Sequence, residues 1–174
     1  MTVSTTVRDL APEALDDRSL AHLVGYAASR AALELRKVFQ QNVGPLDLRP
    51  AEFSILMLLA DNGPVAQRRL AQALDMAAPN LAATLDRMAE RGWIERVRST
   101  DDRRSQRVHL TPAGERLAQE ARAVAGTMEE PALGGLSRAE RALLIELLRK
   151  VAFHRRHQTT TRSPAAPREL KRAA

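Results

Sequence analysis

The chain has 174 residues, 44% of them apolar, 28% charged and only 3% aromatic, a size and mix that suit one helical domain better than a sandwich or barrel. It has no cysteine, which excludes disulfide frameworks, thiolate metal sites, cysteine nucleophiles and thiol redox switches. The net charge is +6, but residues 155–174 hold six Lys or Arg against one Glu, so the body, with 21 basic and 20 acidic residues, is almost neutral and overall charge says little about its partners.

Residues 1–17 read as a flexible N-terminal arm, of mixed polarity and interrupted by Pro12. They lack the apolar core of a secretory signal. No run in the chain approaches the roughly 18 uninterrupted apolar residues of a membrane span. The expectation is a soluble, cytoplasmic protein with no membrane partner. From about Asp17 to Asn42, Leu20, Leu23, Val24, Ala27, Ala31, Leu35 and Val38 recur at helical spacing, with Tyr26, Arg30 and Leu33 on a neighbouring stripe. Gly44–Pro45 ends this helix. Pro50 suits the first turn of a second helix, apolar nearly all round through Phe53, Ile55, Leu56, Leu58 and Leu59, and therefore central. Asn62–Gly63–Pro64 stops it.

A short helix follows at 67–74, then a turn at Asp75–Met76, then a helix at 78–91 with Leu81, Leu85 and Met88 inside and Gly92 closing it. Extended runs at 93–97 and 106–110 flank a charged loop and read as a hairpin. Thr111–Pro112 opens a helix predicted over 112–130. Ser137 and Glu140 match a capping box, ahead of a last helix that carries Leu143, Leu144, Leu147, Leu148 and Val151 to about residue 156. Residues 158–174 read as a disordered basic tail.

Helix, short helix, turn, helix and hairpin is the order of a winged helix-turn-helix. The outer face of helix 78–91 is read as presenting Pro79, Asn80, Ala83, Thr84 and Arg87. Asn pairs with adenine, Arg with guanine or phosphate, and Ala or the Thr methyl touches a thymine methyl. Gln67, Arg68 and Arg69 lie where they reach a phosphate backbone. Taken alone, the same face fits any solvated helix. In the hairpin loop, Asp101, Asp102, Arg103 and Arg104 are suited to placing a guanidinium in a narrow minor groove, with Asp102 bracing Arg104. The plain alternative is a charged turn that keeps a hairpin soluble.

The segment from Leu48 to Gly114 resembles the MarR family of bacterial winged-helix regulators. The resemblance is carried by "AQRRLAQALDMAAPNLAATLDRMAERGWIERV" at 66–97 and, most specifically, by "STDDRRSQRVHLTPAG" at 99–114. With flanking helices it covers about residues 18–156. It implies a mainly α, α+β winged helix-turn-helix fold, with about six helices and a wing of two to three strands. It further implies an intertwined homodimer in which 18–46 and 112–157 supply dimerisation helices around a DNA-binding domain at 47–111. By family position, Asn80, Ala83, Thr84 and Arg87 face the major groove of double-stranded DNA, and Arg104, paired with Asp102, enters the minor groove. A symmetric dimer reads half-sites roughly 10 bp apart. Two positions depart from the pattern: Arg49 and Ala77 stand where helix-capping residues are common.

Family members often bind a small aromatic or carboxylated effector. Tyr26 and Arg30, with His22 nearby, offer a ring contact and a carboxylate anchor for one. The plain alternative is that Arg30 pairs with an acid across a dimer and Tyr26 serves only packing. The reading is a ligand-responsive repressor; the alternative is a constitutive or architectural DNA-binding regulator with no effector. No phosphate-binding Gly-rich loop, Gly-x-Ser-x-Gly or His-Glu-x-x-His pattern points to an enzyme, and no cofactor or metal is expected. His154 and His157 share a helical face, but a helix C-terminus rich in Arg accounts for them better than a metal.

Overall fold

A computed structural model describes residues 15–98 and 106–161, with only the backbone described for Arg98 and 153–161. The chain divides into two units, Met1–Ala132 and Leu133–Ala174.

The first unit opens with turns rather than helix. The Asp17 carbonyl already accepts from the amides of Leu20 and Ala21, and Leu23 is extended (φ −87°, ψ 118°). Helix α1 therefore spans Val24–Val43 and not the whole stretch from Asp17, although the apolar period runs through the break. A single 3₁₀ turn, Gly44–Leu46, follows, with Pro45 removing a donor from the helical ladder. Helix α2 (Pro50–Asn62) is the central element: Ile55, Leu56 and Leu59 are buried, and it packs on elements to both sides. Phe53 meets Phe39 of α1 edge-to-face, ring centroids 5.4 Å apart.

A two-residue strand, β1 (Val65–Ala66), links α2 to α3 (Gln67–Leu74). Asp75, left-handed at φ 52°, makes the turn to α4 (Ala78–Glu90). Leu81, Leu85 and Met88 are buried, as their spacing requires. Gly92 takes φ 69°, its amide bonding to the Ala89 carbonyl and the Trp93 amide to that of Met88, the paired bonds of a Schellman termination. Strands β2 (Ile94–Arg98) and β3 (Gln106–Leu110) pair antiparallel, Ile94 opposite Leu110 and Arg98 opposite Gln106. β3 also pairs with β1, Val65 opposite Val108, giving a three-stranded sheet with β3 in the middle. Ile94 and Val108 face inward and are buried, each contributing about 1.5–3 kcal/mol of apolar burial.

Helix α5 (Pro112–Ala125) starts where Thr111 caps it: the threonine hydroxyl accepts from the Gly114 amide at 3.1 Å and donates to the Gly92 carbonyl at 2.6 Å. It ends at Ala125, short of the predicted 130. From Gly126 the amides of Thr127 and Met128 both turn back to the Val124 carbonyl, and turns continue to the second unit. Glycine at 126 and proline at 131 disfavour continuation more than the apolar period at Val124 and Met128 favours it.

In the second unit, Ser137 and Glu140 form the expected reciprocal box. The Ser137 amide and hydroxyl both donate to Glu140 Oε2 at 2.7 Å, and the Glu140 amide donates back to Ser137 Oγ at 3.3 Å. The hydroxyl bond first, and then the amide bond, hold the Glu140 carboxyl below the usual carboxylate range. Helix α6 (Arg138–Thr161) runs five residues beyond the predicted end, so 158–161 is helical backbone rather than tail. No proline or glycine interrupts it before Pro164. Leu143, Leu144, Leu147, Leu148 and Val151 are all exposed on roughly 140° of one helical face. Among the described residues, no helix is long and apolar enough to cross a membrane.

Candidate nucleic-acid interface

The site is assembled around the left-handed turn at Asp75, which joins α3 to α4. α4 buries Leu81, Leu85 and Met88 and leaves Pro79, Asn80 and Ala83 exposed on its first two turns. In helix-turn-helix proteins generally, the N-terminal turns of the second helix are the part from which base edges are read. At the start of α3, Arg68 and Arg69 are exposed and Gln67 is half-buried. A polar amide and a small methyl on α4, and two cations on α3, are thus exposed on the two helices of the motif. As the sequence implied, Ala77 makes no side-chain cap to α4.

Thr84 corrects the sequence reading. It is buried, not presented outward; its hydroxyl donates to the Asn80 carbonyl at 2.9 Å. At 100° per residue it lies only about 60° from Leu81, inside the buried arc. Arg87 is half-buried, and its guanidinium turns back along α4 and into the fold. Nε donates to Glu52 Oε1 at 3.4 Å, Nη1 to the Ala83 carbonyl at 3.3 Å and Nη2 to Thr84 Oγ1 at 3.3 Å. The wing residues Asp101, Asp102, Arg103 and Arg104 lie outside the described residues.

Two residues that the sequence reading did not single out hold this motif. Glu52, in the first turn of α2, is only 2% exposed, and its Oε2 accepts the Arg49 amide at 3.0 Å. The cap missing from the Arg49 side chain is thus half replaced by the carboxylate three residues on. The signal was present, a Glu at the third position after a non-capping residue, but only as half a motif. Arg96 sits on the same face of β2 as buried Ile94, pairing with Asp86 Oδ1 at 2.7 Å and donating to the Ala82 carbonyl at 3.1 Å. An arginine at an inward strand position was its sequence signature. Arg91 further ties the C-terminal end of α4 to Asp47 at 2.6 Å and lies over the Trp93 ring, 3.8 Å from its centroid.

The effector candidates are brought together only in part. Tyr26, half-buried, and exposed Arg30 stand one turn apart on α1, whereas His22 belongs to the turns ahead of that helix and not to its stripe. A cleft of about 700 Å³ opens elsewhere, between the end of α2, β3 and α5, with Leu59, Leu110 and Ala118 at its apolar floor and His109, Glu115 and Arg122 among its polar lining. Arg122 is already paired with Asp61 across it, at 2.5 Å. Among the described residues, no group of three or more His, Asp or Glu is arranged to hold a metal ion. The side chains of His154 and His157 lie outside the described set.

Comparison with known proteins follows the same lines. The MarR family model matches residues 48–106, from just before α2 to the start of β3. The transcriptional regulator HosA of Escherichia coli O157:H7 is 30% identical over 128 residues, 71% of this chain and 95% of HosA. The chain belongs to the MarR family. A second MarR-type relative, the HTH-type transcriptional regulator YpoP of Bacillus subtilis (strain 168), is 38% identical over 91 residues, 49% of this chain and 64% of YpoP. The structure of the transcriptional repressor CouR bound to a 23-mer DNA duplex superposes with a TM-score of 0.75 and 36% identity, covering 80% of this chain and 99% of CouR. CouR has also been solved with p-coumaroyl-CoA. The matched MarR relatives are transcriptional regulators rather than enzymes, and the mainly α winged-helix fold with a three-stranded wing sheet is as the sequence led one to expect.

Proposed function

We propose that this chain is a homodimeric, sequence-specific repressor that binds a pseudo-palindromic double-stranded DNA operator and is released by a small aromatic or carboxylated effector. The observation that carries the DNA reading is the exposure of Pro79, Asn80 and Ala83 on the first turns of α4, together with that of Arg68 and Arg69 at the start of α3. CouR, of the same fold, has been solved on a duplex. Asn80 reads a base edge, Ala83 and Pro79 shape the apolar contact, and Gln67, Arg68 and Arg69 hold phosphates. Arg104, with Asp102 and Arg103 beside it, supplies the minor-groove contact. Dimerisation covers the apolar side chains that the two units leave exposed, Val24 and Leu33 on α1 and the Leu143–Val151 face of α6. The reading requires no cofactor and no catalytic step.

A duplex selected from genomic fragments by the full-length protein tests the DNA reading. Asn80→Ala is expected to weaken binding of that duplex by about 1–3 kcal/mol per half-site and relax preference at one base pair in each. Arg104→Ala should weaken it without altering the folded dimer. Failure of the protein to prefer any duplex over random DNA would end the proposal.

The effector reading is supported by Tyr26 and Arg30 sharing a face of α1. An aromatic thioester bound to CouR supports it from a relative. Aromatic acids and their thioesters are expected to raise the melting temperature and dissociate the complex with DNA, and Arg30→Ala to remove both responses while leaving DNA affinity intact. A protein that no such compound stabilises or releases would be a constitutive regulator.

A further inference from the structure

Two neighbouring residues near the C-terminal end of α4 are tied to different elements on its two flanks. Arg87 reaches α2, donating from Nε to Oε1 of Glu52. Asp86, about 100° round the helix, reaches β2, accepting from Arg96 at 2.7 Å. The two ties differ in burial. The Glu52 side chain is 2% exposed, whereas Asp86 is 58% exposed.

The Glu52 carboxylate is a charge taken out of water. One oxygen accepts the Arg49 amide; the other has the Arg87 guanidinium as its counter-ion. Were Arg87 to swing out to a phosphate, it would leave that carboxylate buried and uncompensated. That desolvation cost opposes the swing. Arg87 is also held by the Ala83 carbonyl and the buried Thr84 hydroxyl, so each of its three nitrogens has one partner within the fold while 39% of the side chain stays exposed. It lies in the last full turn of α4, while bases are read from the first turns.

We infer that Glu52 and Arg87 are positioning residues for DNA recognition. Together with the Asp86–Arg96 pair they brace α4 from both sides, to α2 and to the wing strand, and fix the angle at which Asn80 and Ala83 meet the groove. Arg87 contacts neither base nor phosphate. This rests on the DNA-binding reading above and departs from the assignment of Arg87 to the groove by family position.

The test uses full-length wild-type protein, Arg87→Ala, Glu52→Gln and the double variant, titrated at several salt concentrations against the wild-type-selected duplex and a random one. Glutamine at position 52 still accepts the Arg49 amide, so that variant keeps the α2 cap and removes only the charge. A brace predicts that Arg87→Ala lowers affinity for the selected duplex by about tenfold, with the random duplex nearly unaffected and the salt dependence unchanged. Glu52→Gln shifts the same ratio in the same direction, and the double variant is no worse than Arg87→Ala alone. A merely stabilising pair would lower the melting temperature but leave the selected-to-random ratio as it was, and that result overturns the inference. So does a salt slope shallower by about 1.8, roughly 0.9 for each of the two protomers, with both duplexes weakened alike and Glu52→Gln neutral or tighter-binding, because that is the signature of lost phosphate contacts. If Arg87→Ala does not fold, exposed Asp86→Asn carries the same test, with loss of discrimination expected and an unchanged ratio decisive against the brace. Wild-type protein that selects no duplex at all would overturn the DNA reading itself, a distinct outcome.

Discussion

Gly114→Ala is expected to destabilise the winged-helix unit by about 3 kcal/mol or more, at the upper end of what overpacking costs. A Cβ at this position would lie 1.9 Å from the Trp93 carbonyl oxygen and 2.9 Å from its carbon. Both atoms belong to the backbone, so no rotamer change relieves the overlap. The same carbonyl accepts the Thr111 amide at 3.0 Å, and the Gly114 amide donates to the Thr111 hydroxyl. Opening the contact therefore also pulls on the cap that starts α5. At roughly 2–4 °C per kcal/mol for a chain of this size, the melting temperature should fall by about 6–12 °C. Gly135→Ala is the control, because an added Cβ there meets nothing within 4 Å and should change little. Equal melting curves for the two variants would show that α5 does not rest on the Trp93 carbonyl.

Under the homodimer proposed above, the combined change Leu144→Glu and Leu147→Glu should break the dimer and, with it, operator binding. Both leucines lie near the middle of the exposed face of α6, and both are at least 39% exposed in the single chain. In a two-fold interface each substitution occurs twice, so four half-exposed leucines lose their added burial, roughly half of the 1.5–3 kcal/mol of a full Leu burial each, and four charges are introduced. Sedimentation should show monomers at micromolar concentration. A monomer holds one half-site at a time, so affinity for the full operator should drop by about 100-fold or more. Far-ultraviolet dichroism should remain helical, because neither leucine contributes to the buried core of the first unit. Wild-type protein that sediments as a monomer, or a variant that stays dimeric, would remove α6 from the interface.

The parts legible in the sequence were those marked by punctuation or by strong period. Pro50, Gly63, Gly92 and Thr111–Pro112 each mark a real boundary, and Leu81, Leu85 and Met88 form the inner face of α4. The start of α1 was not legible, because side-chain spacing continues across a backbone break set by the bonds at the Asp17 carbonyl. The end of α5 was overrun for a related reason, with Val124 and Met128 keeping the period past Gly126. β1 was invisible in itself: two residues show no alternation, and its pairing depends on β3, some forty positions away. At the candidate interface, residue chemistry suggested Asn80, Ala83, Arg68 and Arg69, and all four are exposed. Chemistry also suggested Thr84 and Arg87, and packing put both to other use. A hydroxyl that bonds to its own helix is cheap to bury, and a long guanidinium goes to the nearest buried carboxylate; neither partner is adjacent in sequence.

The short strand has a mechanical consequence. Ala66 is bonded into the sheet opposite Arg107, and the next residue, Gln67, opens α3. Because β3 runs between β1 and β2, any load applied at the hairpin passes along a chain of backbone bonds straight into the first turn of α3. On the DNA-binding reading proposed above, the wing strands and the first turn of α3, which carries Arg68 and Arg69, are thereby held as one piece.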